Sequence, residues 1–200
     1  MPVLEAEPQL FPDNLFCETE GNVAHGECAE HGHYGRGELN DKRWMVLQTK
    51  PRSEKQLARM LRARGVAHFL PQGASRRKTQ RRWVTSYRPL FPGYLFLYGE
   101  AEDFSASLMT NKVVNALPVQ DPVQLHQELY RIHELLTLGV NLSAEPVLVE
   151  GDPVEIVSGS LAGLRGKVVR LDGQSRVILG VKMINQGVSI LVEEWMLRRV

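Results

Sequence analysis

The chain has 200 residues, of which 43% are hydrophobic, and its formal net charge is +1. This length suits two small domains plus additional segments. The sequence has no apolar run near the roughly 18 residues of a membrane span and no basic start followed by an apolar stretch. We therefore expect a cytoplasmic protein with no membrane partner. Its two cysteines, Cys17 and Cys28, both lie in the N-terminal segment, so a disulfide cannot cross-link the rest.

Charge is distributed unevenly along the chain. Residues 1–42 hold nine acidic and two basic side chains, a net charge of −7. Residues 43–138 hold fifteen basic and seven acidic side chains, a net charge of +8, and residues 139–200 hold seven of each. A basic middle segment predicts a polyanionic partner for that segment alone. One hypothesis is that the acidic segment folds back on the basic one and screens it from DNA, an effect that salt weakens.

The N-terminal segment, residues 1–42, shows neither helical nor strand periodicity and is predicted to be a disordered acidic tail. It contains Cys17, His25, Cys28 and His31, which are ligand types that suit zinc. Their spacing matches no known finger pattern, so solvated side chains and weak metal ligands stay open as alternatives. No helix presents paired histidines with a nearby base, so we predict a protein that is not an enzyme and binds no cofactor.

The middle segment alternates strands and helices in an irregular order. Strands are predicted at residues 44–49, 66–70, 83–87, 94–98 and 113–117. Helices are predicted after Ser53, which with Gln56 indicates a capping box, at residues 103–109, and from Asp121 to Gly139, with Asp121 as N-cap. This pattern is typical of a two-layer α/β sandwich with a mainly antiparallel sheet, so the fold class is α+β.

The strand at residues 94–98 has two chemically different faces. Side chains alternate across a strand, so Tyr94, Phe96 and Tyr98 share one face while Leu95 and Leu97 share the other. The aliphatic face is predicted to pack against a helix. The aromatic face then requires a second layer or an outside partner.

A polar stretch before residue 83 concentrates positive charge. It is predicted to be a loop, and its cations are Arg76, Arg77, Lys78, Arg81 and Arg82. Five cations in seven positions repel one another unless phosphates or counterions neutralise them, which favours contact with nucleic acid. The alternative is a mobile hairpin tip that is basic for solubility.

The C-terminal third is rich in short strands. Residues 140–150 lose periodicity and contain Pro146, so they are predicted to be a linker. Residues 151–200 contain five short β-rich runs separated by glycine-containing turns, which suit a small barrel better than a sandwich.

Several sequence blocks together resemble the NusG family of transcription elongation factors, including its RfaH-type paralogues. The blocks are residues 44–51, 69–71 and 89–96, which look like the family's N-terminal (NGN) domain, and 151–154 with 159–168, which look like its KOW motif. The resemblance implies an NGN domain at residues 43–139, a linker at 140–150 and an SH3-like barrel, the KOW domain, at 151–200.

The resemblance implies a bacterial factor that binds RNA polymerase and modulates pausing, termination or antitermination, and it favours a specialised RfaH-like paralogue over the general factor. In this family an apolar pocket binds the clamp helices of the largest catalytic polymerase subunit. Carried over, the pocket residues are Trp44, Leu47, Phe91, Tyr94 and Phe96.

The resemblance implies further contacts. It assigns Lys50, Arg52 and Lys55 to contact with non-template DNA, and the hairpin cations are expected to add to this contact. Ser105, Ala106 and Ser107 are assigned to contact with the polymerase gate loop. A partner of the KOW domain, either termination factor Rho or a small-subunit ribosomal protein, is expected to contact Leu161, Ala162, Leu164 and Arg165. We expect a monomer. The alternative function is a ribosome-associated or RNA-binding KOW protein.

Overall fold

The computed structural model describes residues 8–16, 42–78, 83–145, 151–171, 174–193 and 196–200. The predicted α+β class is confirmed, because three helices accompany antiparallel sheets in this part of the chain. The chain divides into two compact units. The first comprises Met1–Leu70 and Pro92–His126, and the second comprises Pro71–Phe91 and Gln127–Val200. No helix in the described ranges is long and apolar enough to cross a membrane.

The secondary structure elements are numbered in chain order. The strands are β1 (Leu10–Phe11), β2 (Arg43–Thr49), β3 (Ala67–Phe69), β4 (Gln72–Lys78), β5 (Trp83–Pro89), β6 (Tyr94–Gly99), β7 (Val113–Pro118), β8 (Ser143–Glu145), β9 (Asp152–Ile156), β10 (Arg165–Leu171), β11 (Gln174–Val181), β12 (Gln186–Leu191) and β13 (Leu197–Arg199). The helices are α1 (Glu54–Ala63), α2 (Ala101–Leu108) and α3 (Pro122–Thr137), and Lys182–Ile184 forms a 3-10 turn.

The first unit is built on a five-stranded sheet in the order β1-β3-β6-β2-β7. All of its strand pairs are antiparallel. The predicted aliphatic face of β6 does pack against a helix. Leu95 and Leu97 of β6 form one buried cluster with Leu47 of β2 and with Leu57 and Leu61 of α1. This cluster holds α1 against the sheet, because each fully buried leucine contributes about 2 kcal/mol of transfer free energy.

The two helix starts that were predicted from caps differ in outcome. At α3, the Asp121 carboxylate accepts a hydrogen bond from the Gln124 backbone N–H at 2.8 Å, which confirms the predicted N-cap. At α1, Ser53 is the N-cap residue, but its side chain makes no capping hydrogen bond. The predicted capping box is therefore wrong. Ser53 has φ −101° and ψ −4°, near-helical values rather than the extended conformation from which a side chain usually caps.

The prediction of a disordered tail over residues 1–42 is wrong for residues 8–16. Strand β1 extends the sheet by pairing with β3, and Leu10, Leu15 and Phe16 are buried. A short apolar cluster can order a segment that has no periodicity of its own when an existing sheet edge and face receive it. Residues 1–7 and 17–41 of the predicted tail lie outside the described residues.

The second unit contains a two-stranded hairpin, β4 with β5. The predicted polar loop at residues 76–82 is therefore partly strand, because β4 continues to Lys78, which pairs with Trp83. Backbone pairing between the two strands therefore extends into the cationic stretch.

A six-stranded antiparallel sheet completes the second unit, in the order β13-β9-β10-β11-β12-β8. Two predictions are corrected by it. Strand β8 lies inside the predicted linker and pairs with β12. Because β8 occupies the free edge of β12, the described strands do not close into the predicted barrel, whose closure needs the outermost strands to pair with each other.

Candidate protein-docking face and basic surfaces

One face of the first unit's sheet carries a cluster of aromatic side chains. Register places Trp44 opposite Tyr98, and Phe96 opposite Phe69, so these four share the face that points away from α1. Trp44 and Tyr98 contact each other, with ring centroids 5.3 Å apart. We call these four residues the aromatic face. The sequence-based alternation of Phe96 and Tyr98 against the leucines is thereby confirmed.

Residues from two other segments lie on the aromatic face. The Phe16 ring stacks on Trp44 with centroids 6.0 Å apart and meets Phe69 edge-on at 5.3 Å. His126, in the second turn of α3, lies 5.5 Å from the Phe16 ring and 6.2 Å from the Trp44 ring. With these rings in place, Phe96 is 0% exposed. The aromatic face is therefore a filled surface in this structure.

The five residues predicted to form one polymerase-binding pocket are divided by the structure. Trp44 and Phe96 lie on the aromatic face, and Tyr94, half-buried, follows on the same side of β6, opposite Gln48. Leu47 instead belongs to the helix-facing cluster on the other side of the sheet. Phe91 is buried in the second unit.

The turn that leads into β6 is held by the first residue of α1. The Gly93 backbone N–H donates to the Glu54 carboxylate at 2.8 Å, and the Gly93 carbonyl accepts from the Thr49 N–H at the same distance. Gly93 has φ +84°, a conformation that glycine adopts without strain. These bonds set where β6, and hence the aromatic face, begins.

The cations at the β2–α1 turn form a basic corner. Lys50 Nζ donates to the Asn111 side-chain oxygen at 2.8 Å. Lys50 and Arg52 are exposed, and Lys55 is half-buried. Arg52 has φ +61°, so the backbone adopts a conformation that is costly for a residue with a Cβ. The exposed cations and this tight turn present positive charge to solvent.

The cations of the hairpin fall in three groups. Lys78 is exposed near the end of β4. The backbone of Arg76 and Arg77 pairs with Thr85 and Val84 in β5. Arg81 and Arg82 lie outside the described residues. Trp83, which pairs with Lys78, is 58% exposed, so an aromatic ring stands in solvent within the basic stretch.

The three residues predicted to contact the polymerase gate loop all lie in α2. Ser107 is fully buried, and its hydroxyl donates to the Phe104 carbonyl at 2.6 Å. Ser105 is exposed, and its hydroxyl donates to the Ala101 carbonyl at 2.9 Å. The Ala106 carbonyl accepts from Arg64 at 2.8 Å. Of the three residues, only Ser105 is exposed.

The predicted KOW partner loop borders a groove of about 530 Å³ in the second unit. Leu161, Ala162, Leu164 and Arg165 line one side of it, and α3 lines the other with Arg131, Glu134, Leu135 and Leu138. Arg165 pairs with Glu155 at 3.4 Å. The groove therefore combines leucine side chains with charges of both signs.

Nothing in the described part of the chain forms a group of metal ligands. The weak zinc candidates Cys17, His25, Cys28 and His31 all lie outside the described residues. They stay a prediction from sequence.

His68 is a buried ionisable side chain next to β1. Its Nδ1 donates to the Val66 carbonyl at 2.9 Å, and Phe11 of β1 stacks on the ring at 5.9 Å. Burial lowers the pKa of His68 to about 4. The Val66 carbonyl opposes this shift, and the positive charge of Arg62 adds to it. His68 is therefore neutral at physiological pH.

Sequence reasoning missed Phe16, Phe69 and His126 as members of this site. A signal for Phe16 was present, because Leu10, Phe11, Leu15 and Phe16 are concentrated in an otherwise polar segment. His126 lies on a helix that was predicted, but its approach to Trp44 depends on how that helix packs against the sheet.

Part of the chain is similar to known proteins. The chain combines a helix-backed antiparallel sheet with a β-rich unit. The family described as "Transcription termination factor nusG" matches residues 42–134. No curated protein matches the chain. Two solved structures, of the MjSpt4:Spt5 complex in conformations A and B, are each 19% identical with a TM-score of 0.26. They cover 78% of this chain and 97% and 96% of their own chains.

The matched family consists of transcription factors without enzymatic activity. Residues 42–134 match the NusG family, so this part of the chain is a NusG-family domain. The family points to transcription elongation as the process in which the chain acts.

Proposed function

We propose that this chain binds RNA polymerase through the aromatic face and modulates pausing, termination or antitermination. The observation that carries the proposal is the aromatic face itself, which concentrates Trp44, Phe69, Phe96 and Tyr98 on one side of a NusG-domain sheet. Large aromatic anchors with few charges suit the apolar side of a partner helix. The partner is assigned as the clamp helices of the largest catalytic subunit.

The proposal includes the domain organisation and the cellular setting. Residues 43–139 act as the polymerase-binding domain, and residues 151–200 act as a KOW domain that recruits a second factor. The protein is a specialised RfaH-like paralogue, monomeric and cytoplasmic.

Non-template DNA is the proposed ligand of the basic surfaces. Lys50 and Arg52 at the basic corner, and Lys78 on the hairpin, are exposed cations that can contact phosphates. Ser105 is proposed to contact the gate loop from α2. The groove beside Leu161, Ala162, Leu164 and Arg165 is proposed to receive Rho or a small-subunit ribosomal protein.

Binding to core RNA polymerase without nucleic acid tests the docking face. Tyr94→Ala removes a half-buried aromatic at the end of this face without opening the core, and we expect affinity to fall by about tenfold or more. Tyr87→Ala is the matched control, because Tyr87 is also half-buried but lies on the hairpin. We expect it to bind as the unaltered chain does.

Two results would contradict the proposal. Equal affinity of Tyr94→Ala and Tyr87→Ala for polymerase would remove the aromatic face as the docking site. Enrichment of ribosomal subunits or structured RNA, with no polymerase, would favour the alternative of an RNA-binding KOW protein.

A further inference from the structure

Residues 8–16, the covering segment, are attached to the first unit at two places. At the sheet edge, Leu10 pairs with Phe69 and Phe11 with His68, and the Leu70 N–H donates to the Gln9 carbonyl at 2.7 Å. Beyond this edge the chain turns, with the Leu15 N–H donating to the Pro12 carbonyl at 3.0 Å. The turn brings Phe16 over the sheet.

Phe16 makes the kind of contact that a partner helix would make. It is 2% exposed, and its ring lies against Trp44 and Phe69 of the aromatic face at the distances given above. Leu15 beside it is 0% exposed. Phe16 of the N-terminal segment therefore occupies the surface on which a helix with an apolar side would place its own anchor.

The attachment of the covering segment is small compared with the rest of the sheet. Strand β1 has two residues and two register pairs at the edge, whereas β2 and β6 in the centre share six register pairs. Edge elements with few backbone hydrogen bonds open locally at a lower free energy than the central strands. The segment can thus leave the aromatic face while the sheet stays folded.

We propose that the covering segment is an intramolecular competitor for the aromatic face, which a polymerase helix with an apolar side must displace in order to bind. This inference rests on the proposed function and adds its regulation. The apparent affinity for polymerase equals the intrinsic affinity multiplied by the fraction of molecules in which the face is uncovered. Loosening the segment raises that affinity, and tethering it lowers the affinity.

Tethering gives the sharper experiment. Directly opposite residues on antiparallel strands have Cα atoms about 5 Å apart, within reach of a disulfide. Phe11→Cys with His68→Cys, in a full-length chain carrying Cys17→Ser and Cys28→Ser, joins β1 to β3 and leaves the aromatic face intact. The measurement is binding to core RNA polymerase by the oxidised and the reduced protein, with Phe11→Cys alone as the control for the oxidant.

We expect the oxidised double-cysteine protein to bind at least about tenfold more weakly than its reduced form, and the single-cysteine control to be insensitive to oxidation. A second pair of variants acts in the opposite direction. Phe16→Ala is expected to bind more tightly than the unaltered chain, and Phe11→Ala, which removes the stacking of the same segment on His68, is expected to bind more tightly as well.

The outcomes separate this inference from the proposed function. Equal binding by the oxidised and reduced proteins would overturn the competitor role and leave polymerase binding standing. Absence of polymerase binding by every form, Phe16→Ala and the reduced protein included, would overturn the proposed function and this inference with it.

Discussion

At the scale of single residues, His68 couples the stability of the first unit to pH. Burial disfavours the imidazolium form, so the folded-state pKa of about 4 lies below the ordinary histidine value of 6.5. Between about pH 6.5 and pH 4, the unfolded chain therefore binds a proton at this histidine that the folded chain does not bind. Stability from this group is complete above about pH 6.5 and is lost as the pH falls toward 4.

We expect the free energy of unfolding to drop by about 3 kcal/mol between pH 7 and pH 4 through His68 alone. Urea denaturation at a series of pH values measures it. The control is His68→Leu, which keeps an apolar side chain of similar size and removes the titrating group. A His68→Leu protein with the same decline between pH 6.5 and 4 would show that other groups are responsible.

Residue chemistry also decides which predicted contacts are available. Ser105 and Ser107 are two residues apart on one helix, yet only Ser105 is exposed, because residues two apart lie on different sides of a helix. Sequence identifies the serines as polar. Only the packing of α2 on the sheet shows that Ser107 is buried.

At the scale of elements, the two helix starts make different use of their cap residues. Asp121 bonds the Gln124 N–H at the start of α3, whereas the Ser53 side chain makes no capping bond at the start of α1. The same residue class at two helix starts is therefore expected to contribute differently to stability.

We expect Asp121→Ala to lower the free energy of unfolding by about 1 kcal/mol, because a backbone N–H loses its partner. Ser53→Ala is expected to change it by less than about 0.5 kcal/mol. Urea denaturation of both proteins, with Asp121→Asn as a variant that retains a capping oxygen, checks the pair. A larger loss for Ser53→Ala than for Asp121→Ala would contradict this assignment of the caps.

Strand β6 was predictable in more detail than any other element. Its alternation places Phe96 and Tyr98 opposite Leu95 and Leu97, and the helix-facing cluster follows from that pattern. The hairpin was harder to predict. From the sequence, its cations predict a polar loop. Strand propensity does not reveal the cross-strand pairing that extends β4 to Lys78.

At the scale of the whole molecule, charge separation along the chain remains the main electrostatic feature. The middle segment, residues 43–138, carries +8 and the preceding segment −7. Exposed cations of the middle segment are the proposed phosphate contacts. Each such contact releases a counterion from the nucleic acid, so the affinity falls as the salt concentration rises.

We expect Lys50→Ala and Lys78→Ala each to reduce the slope of log affinity against log salt by about 0.7 for a single-stranded DNA probe. Lys182→Ala, an exposed lysine of the C-terminal sheet unit, is the control and is expected to leave the slope unchanged. Equal slopes for all three variants would contradict the assignment of Lys50 and Lys78 to DNA.

The sequence by itself determined the α+β class, most strand and helix positions, the resemblance of the middle segment to the NusG family and the two-sided character of β6. These features depend on local periodicity, turn residues and short motifs, which are written along the chain. Only the tertiary structure decided that Leu47 lies across the sheet from Trp44, that β8 joins the C-terminal sheet, and that Phe16 covers the aromatic face. Those contacts join residues distant in sequence, and their free energy depends on which surfaces the folded chain brings together.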